Sequence, residues 1–122
     1  MSHEMEAPKK EEIKPLDQAI VNEAREAFSI ATTLLLSPRG SRGENRAFYA
    51  NFLMRMNVQF VNGIDGYPIN TAGVNITEDG INFYVNPEFF IKLGYAGCEE
   101  QQELIVHEVE HIVYLHCQRG KE

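Results

Sequence analysis

His107-Glu108-Val109-Glu110-His111, close to the end of the chain, sets two imidazoles four residues apart with a carboxylate directly after the first. On an α-helix, positions i and i+4 share one face about one turn apart. That spacing lets two histidines hold one zinc ion while the glutamate acts on a neighbouring water. Three of the chain's four histidines, His107, His111 and His116, fall in this final stretch.

With His107 at 0° and about 100° per residue, His111 falls near 40° and Glu108 near 100°, with Leu104 and Leu115 on that side. Ile105, Val109, Ile112 and Val113 fall opposite. The pattern is apolar nearly all round except at the motif, as in a buried helix, where two imidazoles and a carboxylate need a compensating partner such as a metal ion. The alternative is a solvated helix that carries these five residues by chance. His116 lies about 180° from His107 in an unbroken helix, where it reads as a core or partner-facing histidine. It joins the pair only if the helix turns after about Ile112, and Ile112-Val113-Tyr114-Leu115 holds no Gly or Pro to force that. Glu103, one turn before His107, reads either as a carboxylate orienting the His107 ring or as a surface charge.

Upstream, Glu99 and Glu100 suit the amino terminus of this last helix, which follows Gly97. Asn86-Pro87-Glu88 opens a short helix ending near Gly94, with a capping Asn and Pro at the first helical position. Before it lies a hairpin: Ala72, Val74 and Ile76 alternate with polar or small residues, Thr77-Glu78-Asp79-Gly80 turns the chain, and Ile81, Phe83 and Val85 alternate again. Asn75, Asn82 and Tyr84 are expected to face outward. Asn57 to Val61 reads as a strand, and Asn62 to Pro68 as a turn-rich link. Residues 44–56 form an amphipathic helix with Phe48, Phe52, Leu53 and Met56 on its buried side. Pro15 opens an earlier one, in which Leu16, Ile20, Ala24, Ala27, Phe28, Ala31, Leu34 and Leu35 recur at helical spacing up to Ser37-Pro38.

Residues 1–14 are polar and mixed in charge, so they read as a mobile tail, and 15–122 as one domain. Met1-Ser2-His3 would form an amino-terminal copper or nickel site only with Met1 retained, and the small second residue favours its removal. A chain of 122 residues, 43% hydrophobic and 24% charged, has the composition of an ordinary globular domain. It has no apolar run long enough for a membrane span and no secretory signal at its start. Cys98 and Cys117 fit neither a C-x-x-C site nor a disulfide framework, and a reduced, cytoplasmic protein is expected. A net charge of −7 argues against non-specific nucleic-acid binding as the main activity. The one basic cluster, Arg39, Arg42 and Arg46, spans a Gly- and Ser-rich loop and the start of the next helix with no interleaved aromatic residue; it reads as solvated, with a phosphate or nucleic-acid contact as the lesser alternative.

The segment Asn75-Ile76-Thr77-Glu78-Asp79-Gly80-Ile81-Asn82-Phe83-Tyr84-Val85-Asn86-Pro87-Glu88-Phe89 resembles the T-D-G-x-x-[LF]-Y-x-N-P-E-F segment of metallopeptidase domains found ahead of von Willebrand A-like domains. Leu104 to His111 continues the resemblance, and His116 keeps that family's H-E-x-x-H-x-x-x-x-H spacing. The likeness runs from about Phe48 to Arg119. It implies an α+β, zincin-like minimal domain: a small, mostly antiparallel sheet with the hairpin, packed against amino-terminal helices and a carboxy-terminal metal-binding helix. It also implies His116 as the third metal ligand. Two departures stand against it: Leu115 occupies a position where the family often has Gly, and any ligand from a segment beyond Glu122 lies outside this chain.

The expected function is a zinc-dependent peptidase-type hydrolase, with His107, His111 and His116 on the metal and Glu108 as general base. A peptide or protein substrate would add along the hairpin edge. The alternative is a non-catalytic module whose metal site is structural or incomplete and whose partner is another protein.

Overall fold

In the computed structural model, residues 14–37 and 46–120 are described, with side chains from 47 to 115 in the second segment. The chain is α+β, with four α-helices and a small sheet. Helix α1 (Gln18–Leu35) starts three residues after Pro15, because Asp17 caps it by accepting from the Ala19 amide at 2.9 Å. Its buried stripe is Val21, Ala24, Ala31 and Leu35, while Leu34, expected inside, is 43% exposed.

Helix α2 (Arg46–Arg55) is shorter than expected, because Met56 already belongs to strand β1 (Met56–Phe60). Its inward anchor is Tyr49 rather than Phe48, which is 44% exposed. The link after β1 carries its own two-stranded hairpin, β2 (Gly63–Ile64) and β3 (Tyr67–Pro68). Asp65 and Gly66 turn it with positive φ values of 55° and 85°, the backbone that an Asp-Gly pair adopts in a tight primed turn.

The expected main hairpin is present as β4 (Ala72–Thr77) and β5 (Gly80–Val85), closed by Glu78-Asp79 with Gly80 at φ 126°. Strand order is β1-β5-β4. The β4–β5 pair is antiparallel, but β1 runs parallel to β5, in register from Met56 opposite Ile81 to Phe60 opposite Val85. The sheet is therefore mixed rather than mostly antiparallel, since the chain crosses from β1 past β5 to lay down β4 first.

The inward row of β5 is Ile81, Phe83 and Val85, and Phe83 and Val85 are fully buried. The Phe28 ring meets those of Phe60, Phe83 and Phe90 at 5.8, 5.9 and 5.7 Å between centroids, tying α1 to the sheet and to helix α3 (Pro87–Leu93). Asn86 caps α3 through the Phe89 amide at 3.0 Å and also donates to the Ile69 carbonyl at 2.8 Å, pinning β3's exit to the helix start.

A 3-10 turn (Gly94–Ala96) leads to α4 (Cys98–Gly120). The buried Gln101 amide donates to the Phe90 carbonyl at 2.9 Å, fixing α4 against α3. Ile105, Val109 and Ile112 of α4 are fully buried, and α4 packs on α1 and β4. Among the described residues no helix is long and apolar enough to cross a membrane. The expected tail before Lys14, the Met1-Ser2-His3 site, and Arg39 and Arg42 lie outside the described residues, as do the side chains of Arg46 and His116.

Candidate metal centre

Helix α4 carries His107, Glu108 and His111 on adjoining parts of its surface, and its sequence explains their different surroundings. Between Cys98 and Leu115, the residues from about 100° to 260° around the axis from His107 are Glu108, Gln101, Ile112, Ile105, Cys98, Val109, Gln102, Val113 and Val106. All of these are buried except half-buried Cys98 and Val113. The opposite arc holds Glu110, Glu103, Tyr114, His107 and His111, all exposed. The helix is thus amphipathic, not apolar all round, and the expectation of a motif enclosed by apolar walls is corrected. His107 is exposed and the His111 side chain keeps 54% of its accessible surface, so neither imidazole requires a metal to offset burial.

Glu108 is different. It is 7% exposed, and its Oε1 is covered with no hydrogen-bond partner. Nδ1 of His111 stands 4.0 Å from Oε1, too far for a hydrogen bond. Burial raises the carboxyl pKa above its usual value, while the positive potential of His107 and of His111 pulls the other way. A buried carboxylate with one oxygen unpaired carries a cost of roughly 1–3 kcal/mol.

The two imidazole rings lie 6.1 Å apart between centroids, with their planes at 53°. With nitrogen–zinc bonds of about 2 Å, rings at this separation can share one ion after small side-chain rotations. Nδ1 of His111 faces Glu108, which leaves Nε2 directed away from the carboxylate. The donor set therefore fits zinc as a two-histidine arm beside a buried base. Among the described residues, no group of three or more His, Cys, Asp or Glu side chains is placed to hold a metal.

Helix α4 runs unbroken across His116 to Gly120. The turn after Ile112 that would bring His116 round to the pair does not occur, and its backbone position stays about half a turn from His107. Glu103 sits on the exposed arc one turn before His107. A contact not legible in the sequence joins α2 to this arc, where the Tyr49 hydroxyl donates to Glu110 Oε2 at 3.3 Å. The helical spacing of α2 pointed to Phe48 as an inward position, and packing turns Tyr49 inward instead.

Among the described residues β4 is an edge strand, bonded to β5 on one side only, and α4 packs against it. The cavity of about 350 Å³ lined by Lys14, Asp17, Asn62, Asn70, Asn86 and Glu88 lies at the starts of α1 and α3, away from the histidines. No family model, curated protein or solved structure matches the chain.

Proposed function

We propose that this chain is a zinc-dependent, peptidase-type hydrolase with a zincin-like arrangement, in which His107 and His111 hold the metal and Glu108 is the general base. The observation that carries this reading is the buried, unpaired Oε1 of Glu108 next to two imidazoles at i and i+4. Zinc held there would supply Lewis acidity, acidifying water and polarising a carbonyl.

The chain's own contribution is proton handling. Glu108 would accept the proton of the attacking water on a carboxylate oxygen turned toward the histidines and pass it to the departing amine. Burial raises its pKa, so the carboxyl holds that proton more readily than a solvated glutamate would. The free edge of β4 offers backbone groups to which an extended peptide can add as a further strand.

The second reading, a protein-binding module with a structural or incomplete metal site, is favoured by the exposure of both imidazoles on an open helix face. Coordination separates the two: a site with water in its shell can turn over, whereas one closed by four protein ligands cannot. Zinc analysis of the purified chain beside Glu108→Gln tests the catalytic reading. The expected result is zinc in both proteins, with peptide hydrolysis falling by about 10²–10⁴ in the variant. Equal hydrolysis by parent and variant would remove Glu108 from the chemistry.

A further inference from the structure

The histidine pair supplies two ligands on the outside of the molecule, and a closed zinc shell needs four. Glu100, Glu103, Glu110, His111 and Tyr114 fall within about 60° of His107 around α4, and all of them are exposed. Between Cys98 and Leu115 the helix has no lysine or arginine. With a net charge of −7 per chain, two such faces repel each other unless a cation lies between them.

The same face is self-complementary once a cation is present. A two-fold axis passing between His107 and His111 sets the imidazoles of a second copy opposite the first pair, so each copy fills the half-shell that the other leaves open. Tyr114, 59% exposed and one turn beyond His111, gives this face an apolar ring to bury beside the metal.

We propose that zinc joins two copies of this chain through α4, with His107 and His111 of each copy completing a four-histidine site. This rests on the reading that His107 and His111 bind zinc, and it supplies that site's regulation: the paired form leaves no position for water, so Glu108 has no proton to take until the copies separate. Turnover then belongs to the chain that keeps the zinc when the copies separate, and the pair is its silent form.

Sedimentation of the full chain, first chelated and then with zinc added in steps, tests the proposal. The expected result is a single chain without metal and a doubling of mass complete at one zinc per two chains, reversed by chelator. His111→Ala, at an exposed position, should keep the parent's circular-dichroism spectrum and never pair. Glu108→Gln, whose carboxylate is not in the shell, should pair like the parent. A single chain that takes up one zinc overturns the pairing and leaves the metal reading standing. A chain that takes up no zinc overturns both. A dimer indifferent to chelator or to His111→Ala has its interface elsewhere and overturns the proposal.

Discussion

Two buried polar side chains, Asn82 in β5 and Glu108 in α4, are covered to nearly the same degree, 9% and 7% exposed, and are treated in opposite ways. Asn82 is fully engaged. Its Oδ1 accepts from Asn57 Nδ2 at 3.2 Å, and its Nδ2 donates to Asn75 Oδ1 at 3.0 Å and Thr77 Oγ1 at 3.4 Å. That ladder crosses all three strands and explains why a residue on the outer face of the sheet is buried. Glu108 has an oxygen with no partner and two imidazoles beside it. A satisfied buried amide accounts for itself as structure. An unsatisfied buried carboxylate is a standing cost, and such a cost between two histidines at i and i+4 points to function.

The comparison can be broken first at Glu108. Glu108→Gln should cost about two orders of magnitude or more in peptide hydrolysis, whereas Asn82→Ala should leave the activity per folded molecule unchanged. An equal loss from both would erase the distinction. For stability the order reverses. Asn82→Ala removes the hydrogen bonds to Asn57, Asn75 and Thr77, which are exposed and can turn to water, and chemical denaturation should show a loss of about 1 kcal/mol.

Glu108→Gln should do the opposite in the chelated protein, stabilising it by roughly 1 kcal/mol at neutral pH. The sign follows from the raised pKa. The folded chain holds the Glu108 proton more tightly than the unfolded chain, so the parent loses stability as pH rises from the usual 4.5 to the raised folded value and stays level above it. The variant lacks that loss, and its advantage should vanish below 4.5, where both side chains are neutral. A Glu108→Gln protein less stable than the parent at neutral pH would show that the carboxylate has a partner after all. The smallest effect belongs to Tyr49→Phe, which removes one long bond to exposed Glu110 and should shift stability by about 0.5 kcal/mol with zinc uptake unchanged.

The regular elements were legible because local rules govern them. Alternation around Thr77-Glu78-Asp79-Gly80 located β4 and β5, and Asn86-Pro87 marked the start of α3. The Asp65-Gly66 turn carried an equally readable hairpin signal that its short strands concealed. Long-range choices were not readable. Parallel pairing of β1 with β5 and the inward turn of Tyr49 depend on packing between elements far apart in the chain. At the site, spacing correctly put His107, Glu108 and His111 side by side on one helix. Which of them would be covered depended on where α1, α2 and β4 settle around α4. Leu104 and Leu115, which suggested an apolar surround, are only half-buried and leave the histidine arc open.

The central claim, a zinc site built on the His107–His111 pair beside Glu108, is tested most directly by calorimetric titration of zinc into the chelated parent, His107→Ala, His111→Ala and Glu108→Gln at neutral pH. The account predicts saturable binding in the parent and in Glu108→Gln, and its loss in each histidine variant. No saturable binding in the parent, or undiminished binding in His107→Ala, would contradict it.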